Sequence, residues 1–382
     1  MKVTISVGGK FHAFHLARQL EKRGYLESIF TTYPWFALRD SGLSADKVKC
    51  LPLKEIFERA LYKVPYLSKR LDIASIMSDF FDNQVARRIR PCDILNCSSR
   101  YSLRTIRKIR KQFPVKVIIE RVSSHIQAYS DILIQEQERL GIKLSLPNSS
   151  AIDKELEEYQ EADYIAVPSN FAKETFLNKN FSENKLICIP WGADIDSFRP
   201  IPKNDKPFRL ICVGMRVIKG MHYLLQAIDE LNLRGLELWL IGGDIEEALL
   251  PFLKRYSKRF KYIGAVPQKK LYEYYSQGSL YALFSLEDGF GMALLEAMAC
   301  GLPVICSDSV GAKDVVRDNT DGFILPTRNV EALKEKIRYL YEHQDIAREM
   351  GKQARENVAK NFTWDNYGEK IASAYLGLLK KC

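Results

Sequence analysis

The 382 residues suffice for two ordinary α/β domains with full cores, and the apolar, charged, glycine and proline contents are those of a globular chain, not a fibrous or unfolded one. No run of about 18 apolar residues occurs, so no transmembrane helix is expected, and MKVTISVGGK is too short in its apolar part for a signal peptide. Eight cysteines without C-x-x-C pairs or histidine partners argue against a zinc site and for reduced thiols in a cytoplasm, while a net charge of +10 points to an anionic partner or substrate.

A first strand is predicted over 3–7, ending in Gly8, Gly9 and Lys10, with an amphipathic helix over 11–24 behind it. A glycine pair between strand and helix lets backbone approach a ligand. The full dinucleotide fingerprint is missing, so NAD is weakly indicated at best. His12 and His15 read as packing residues of this helix. A strand follows at 28–32, then loops and a short strand over 33–53, a basic helix over 62–90, and strands at 93–96 and 115–120.

The charge is unevenly placed. From Lys54 to Arg121 there are sixteen Lys plus Arg against seven Asp plus Glu. Within that region RTIRKIRKQF (104–113) alternates isoleucine with paired cations at helical spacing, the pattern of a helix lying on an anionic membrane surface. No recognised nucleic-acid motif accompanies it, so nucleic acid is not expected as a partner. RVSSH (121–125) follows a strand directly, where open α/β sheets bind ligands. His125 there is either a site residue or a satisfied structural histidine. The acids of 135–138 and 155–161 fall on predicted helices and read mostly as solvent-facing. A strand, a cap and a helix start follow over 163–170, and 200–207 is polar and proline-flanked, a linker.

The second half opens with a strand at 209–213, a turn at 214–220 and a helix at 223–231. Gly214 and Gly220 frame Arg216 and Lys219, so backbone donors, helix dipole and two cations together make a pyrophosphate cradle; plain exposed turn cations are the alternative. Strands at 237–241, 261–263 and 280–284 lead to SLEDGFGMALLEAMACGLPVICSD (285–308). This stretch reads as a glycine-rich turn (Asp288, Gly289, Phe290, Gly291), a helix over 292–300 and a buried strand over 304–306. Glu296 is the helix's lone charge, with Met292 and Cys300 four residues either side, so it needs a partner from elsewhere. Asp288 stands eight residues earlier, near a two-turn repeat, and the free N–H groups after Gly291 favour an anion between the two acids. Acid, anion socket, acid suits a nucleotide sugar. The competing reading has Asp288 as a helix cap and Glu296 bonded to neighbouring backbone. Turns at 311–316 and 322–326, a helical stretch over 330–361 and a terminal helix over 362–379 complete the chain.

The stretch 285–308 resembles the signature of glycosyltransferase family 4, retaining enzymes of the GT-B fold: Glu-Gly-Phe-Gly, four variable residues, then Glu-Ala-Met-Ala-x-Gly-x-Pro-Val. Asp288 stands where the family usually has Glu, one methylene shorter, with Glu287 beside it. The resemblance covers essentially the whole chain, most strongly from Ala162 onward. It implies an α/β architecture of two Rossmann-like domains facing across a cleft: 1–199 for the acceptor, 200–207 as linker, 208–361 for the donor, and a C-terminal helix within 362–382 crossing back to the first domain. The implied donor contacts are Gly9 and Lys10 at the phosphates, Lys219 and Arg216 at the pyrophosphate, and backbone near Val266 at the nucleobase. Asp288 and the turn Gly289, Phe290, Gly291 and Met292 would hold the sugar, with His125 on its far side and Glu296 on the ribose. The implied turn around Arg216 is about one residue short of the family pattern. Asp194 and Asp196 fall in ICIPWGADIDSFRP, which matches a structural segment of the family, so no metal and no other cofactor is expected.

The implied reaction transfers a sugar from a nucleoside diphosphate, UDP ahead of GDP, to an acceptor hydroxyl with retained configuration, the donor phosphate itself taking the acceptor's proton. The acceptor, a glycan, a lipid-linked or a small molecule, is left open. The expected setting is cell-surface polysaccharide, lipopolysaccharide or glycolipid synthesis in the cytoplasm, with a peripheral position on the inner membrane face. Two rivals stand beside it: a GT-B-fold sugar-nucleotide epimerase, and a membrane-surface binding protein whose cleft has degenerated, which the Asp288 and Arg216 departures favour.

Overall fold

The computed structural model describes residues 1–9, 12–63 and 72–380. Two parallel sheets organise them. The first contains β1 (Val3–Val7), β2 (Leu26–Thr31), β3 (Val48–Cys50), β4 (Ile94–Ser98), β5 (Lys116–Glu120), β6 (Tyr164–Val167) and β7 (Leu186–Cys188), in the order β3-β2-β1-β4-β5-β6-β7. The second contains β8 (Phe208–Val213), β9 (Leu236–Ile241), β10 (Lys261–Gly264), β11 (Leu280–Leu283), β12 (Val304–Ser307) and β13 (Gly322–Leu325), in the order β10-β9-β8-β11-β12-β13. Parallel strands are covered by helices on both faces, so they read as near-continuous apolar runs such as VTISV and LYAL, all nine residues buried. In both sheets the strand order reverses beside the first strand, which places a ligand crevice at the carboxyl ends of β1 and β8.

The last helix, Trp364–Lys380, returns to the first sheet. Its buried stripe of Trp364, Tyr367, Ile371, Ala372, Tyr375 and Leu378 follows the 3.6-residue period, and Tyr375 Oη accepts a hydrogen bond from Asn96 of β4 at 2.9 Å. Gln19 and Lys22 of the helix Ala13–Lys22 bond Asp365 at its start. The helix therefore crosses back to the first sheet, as the resemblance implied.

Several expectations needed correction. Of the predicted helix over 62–90, the described residues form Ile73–Ala86, 64–71 lie outside the described residues, and a helix not expected from the sequence occupies Leu53–Tyr62. The stretch 330–361 breaks at His343 into Val330–Glu342 and Gln344–Asn361. The acids read as solvent-facing include three fully buried ones, Glu136, Glu155 and Glu158. Each holds partners, as buried charge requires: Glu155 takes Arg121 at 2.8 Å and the Tyr159 hydroxyl at 2.7 Å, and Glu158 takes the backbone N–H groups of Arg100 and Ser102.

The basic helix Leu103–Gln112 turns its apolar stripe inward, with Ile106 and Ile109 fully buried. Its arginines are spent on neighbouring acids: Arg104 on Asp79, Arg107 on Glu157 and Glu161, Arg110 on Asp163. It presents no apolar face to a membrane. Among the described residues no helix is long and apolar enough to cross one.

Candidate functional site

A cavity of about 720 Å³ lies between the two sheets, at the carboxyl ends of their strands. The second sheet contributes Val213 and Gly214 after β8, Lys219, Leu283, Asp288, and the run Phe290 to Ala293. The first contributes His12, His15 and Arg18 from the segment after β1, Val122 after β5, and Trp191.

The glycine-rich turn is shaped by close approach. A Cβ on Gly289 would sit 2.1 Å from the carbonyl oxygen of Val122, so this position admits only glycine while the two halves touch here. Gly291 adopts φ +87°, which turns the chain into the helix Met292–Ala299. No side chain caps that helix and its first turn carries no acid. Its leading N–H groups therefore have no intrahelical partner, and Gly291, Met292 and Ala293 line the cavity. That is an anion socket, reinforced by the helix dipole.

Lys219 reaches the same place from the turn after β8. Its ammonium lies 2.6 Å from Asp288 Oδ2. Burial alone would lower its pKa, but the Asp288 carboxylate outweighs burial and holds the ammonium above the usual lysine value. Asp288 Oδ1 also accepts the Phe290 N–H at 3.3 Å. Glu287, beside the shortened acid, is committed elsewhere: its Oε1 accepts the Ser123 hydroxyl at 2.7 Å and the Ser124 N–H at 2.9 Å. It ties the turn to the loop after β5.

Glu296 lies just beneath the socket, 3% exposed. Gln268, which lines the cavity, donates to its Oε1 at 2.9 Å, and the Tyr275 hydroxyl makes a long 3.5 Å contact with Oε2. Burial pushes the carboxyl up to about 7, partly offset by those two donors.

The remaining expected residues fall as follows. His125 does not reach the cavity. It packs among Tyr159, Phe176 and Phe181, with ring centroids 5.0 to 5.6 Å away, and its Nδ1 accepts the Gln127 N–H at 3.2 Å, capping the helix Ile126–Leu140. Burial, followed by the charge of Arg121, lowers it to about 4, so it is neutral near pH 7. The expected sugar contact at His125 is replaced by a structural one, because the ring turns toward the aromatic layer behind β5. Arg216 is exposed and makes no ion pair among the described residues. Val266 is half-buried against the core, and Gln268 two residues on is the one that lines the cavity. Gly9 accepts the Thr31 hydroxyl through its carbonyl at 3.0 Å; Lys10 lies outside the described residues. Asp194 is used locally, accepting the N–H and hydroxyl of Ser197, and among the described residues no cluster of three or more His, Cys, Asp or Glu is arranged to hold a metal ion.

Sequence reasoning missed His12, Trp191 and Gln268. His12 carried a usable signal, since it follows the glycine pair at a strand's carboxyl end; Gln268 carried none.

Residues 194–357, the part containing the turn, Lys219 and Glu296, match the family model described as glycosyl transferases group 1. This segment is similar to the group 1 glycosyl transferases. Similar proteins include a GDP-mannose-dependent phosphatidylinositol monomannoside mannosyltransferase of Mycobacterium tuberculosis, 26% identical over 244 residues, and an O-antigen chain mannosyltransferase B of Escherichia coli, 32% identical over 238 residues. The first match covers 56% of this chain and the second 57%; each spans 62% of the relative. Among solved structures, sucrose-phosphate synthase of Thermosynechococcus elongatus superposes with a TM-score of 0.73 over 100% of both chains at 20% identity. Anabaena HepE in complex with UDP does so with a TM-score of 0.71 at 13% identity, covering 99% of this chain and 100% of its own. The fold of the two sheets and their helices is GT-B, two facing α/β halves.

Proposed function

We propose that the protein is a retaining glycosyltransferase that moves a sugar from a nucleoside diphosphate to an acceptor hydroxyl in polysaccharide or glycolipid synthesis. The observation that carries this reading is the convergence of Lys219, the uncapped helix start at Met292 and Asp288 on one cavity, with Glu296 beneath it. In the bound state the diphosphate sits at the helix start, where Lys219 and the free amides offset the charge that grows on the leaving group. Asp288, released from Lys219 by the incoming phosphate, accepts sugar hydroxyls, and Glu296 accepts those of the ribose. No histidine or carboxylate is needed as a base if the leaving phosphate takes the acceptor's proton on the same face, the arrangement that preserves configuration.

The UDP-sugar expected from the sequence stands beside GDP-mannose, which the name of the Mycobacterium tuberculosis relative supports. Incubation with UDP-glucose, UDP-N-acetylglucosamine and GDP-mannose, following release of nucleoside diphosphate, tests the reading. Release from one of them, faster with a glycan or lipid acceptor than with water alone, is the expected result; no release from any counts against it.

A further inference from the structure

His12 holds a position that a packing residue of the first helix does not need. Its side chain is 5% exposed and its ring lies flat on Trp191, centroids 4.1 Å apart and planes 14° from parallel. Trp191 in turn meets the edge of Phe290 at 5.3 Å. His12 is therefore one aromatic layer from the glycine-rich turn, on the opposite wall of the cavity that both residues line.

Behind the ring stands Glu120, the last residue of β5, itself 6% exposed. Its Oε1 lies 2.7 Å from His12 Nε2, off the axis of an aligned hydrogen bond. A buried carboxylate at that distance favours the tautomer with the proton on Nε2. The other ring nitrogen, Nδ1, then carries a lone pair, and it makes no hydrogen bond with any described residue.

We propose that His12 is a ligand-contacting residue of this cleft: its Nδ1 accepts a hydrogen bond from a sugar hydroxyl, belonging either to the donor or to the acceptor, while Glu120 acts as a positioning residue that fixes the tautomer. The assignment rests on the glycosyltransferase reading above. It places an acceptor on the first-sheet wall, facing Asp288 across the cavity, so that a sugar between them is held from both sides. Trp191 fixes the ring's plane by stacking and so sets the direction of the lone pair.

The two ring nitrogens can be tested apart. Asn places a polar atom near Nδ1, whereas Gln places one near Nε2. With the best sugar nucleotide and acceptor, His12→Asn should keep transfer within about tenfold of wild type, while His12→Gln and His12→Phe should lose substantially more, and Glu120→Gln should fall between. All four should still bind the nucleoside diphosphate alone, which the second sheet holds and which reports an intact fold. A rise in donor KM with acceptor KM unchanged assigns the hydroxyl to the donor sugar; the reverse assigns it to the acceptor. Transfer kept by His12→Gln and lost by His12→Asn would overturn the proposal in favour of a packing role through Glu120. So would unchanged kinetics in His12→Phe. A wild type that binds nucleoside diphosphate but transfers nothing, to acceptor or water, removes the glycosyltransferase reading and this proposal with it.

Discussion

Lys219 Nζ and Asp288 Oδ2 are 2.6 Å apart, joining the turn after β8 to the turn before the helix Met292–Ala299. The residue suited to phosphate and the residue suited to sugar thus neutralise each other across the floor of the cavity. A diphosphate-sugar must take Lys219 from Asp288, which frees the carboxylate for hydroxyls in the same step. Lys219→Ala should lower kcat/KM by about 10²–10³-fold, the loss typical for one donor to a developing oxyanion. Asp288→Glu, which restores the usual length of this acid, should keep the ion pair and stay within about tenfold of wild type. Steady-state kinetics with the preferred sugar nucleotide check both.

Glu296 should make folding stability depend on pH in a recognisable direction. The native carboxyl keeps its proton up to about pH 7, while the unfolded chain releases it near the ordinary glutamate value of 4.5. The folded state therefore binds the proton more tightly, and its advantage is lost as pH rises from 4.5 through 7. The full loss is about 3 kcal/mol. Glu296→Gln has nothing to titrate, so it should resist urea better than wild type at pH 8 and equally at pH 4.5, while losing nucleotide affinity. Parallel pH profiles for the two proteins would contradict the assignment of the burial cost to this carboxyl.

Glu136 joins the two halves of the molecule. It sits on the helix Ile126–Leu140 between β5 and β6, yet accepts from His222 Nε2 at 3.0 Å, the Tyr223 hydroxyl at 2.6 Å and Arg328 Nε at 2.7 Å, all beside the second sheet. Leu133 of the same helix packs with Leu144 in the apolar cluster of that sheet. Burial alone would raise the Glu136 carboxyl, but those three donors pull it down to about 2. Its contribution is present above pH 4.5 and is lost as pH falls toward 2. Glu136→Ala strands Arg328 and should cost about 3–5 kcal/mol in equilibrium urea unfolding.

His125→Phe should leave nucleoside diphosphate binding and transfer within about threefold of wild type. The ring keeps its place among Tyr159, Phe176 and Phe181, and only the bond to the Gln127 N–H is lost. A cap lost in this way costs about 1 kcal/mol. A drop in transfer of a hundredfold with the melt unchanged would return His125 to the site.

Much of this arrangement was legible in the sequence because its causes are local. Gly291 before an apolar helix, and Gly214 and Gly220 around Lys219, announce strand-turn-helix units by residue type alone. The alternation of such units predicts two parallel sheets. What was not legible depended on tertiary direction. His12 and His125 both follow a strand's carboxyl end, and only the packing shows that one ring faces the cavity and the other an aromatic layer. Glu136, Glu155 and Glu158 looked like surface charge because their partners, Arg328, Arg121 and the backbone at Arg100, lie far away in sequence. The stripe of Leu103–Gln112 has the period of a membrane-surface helix and of any helix covering a sheet, and here it covers the sheet.

A nucleotide-sugar cleft built on Lys219, Asp288 and the helix start at Met292 should reveal itself when the protein is melted with UDP, GDP, ADP, CMP and NAD. A ligand at 100 times its dissociation constant stabilises the state that binds it by about 2.7 kcal/mol, which moves the transition by roughly a few degrees. Stabilisation by one nucleoside diphosphate is expected, lost in Lys219→Ala and absent with NAD. No shift with any nucleoside diphosphate, or a shift that survives Lys219→Ala undiminished, would contradict it.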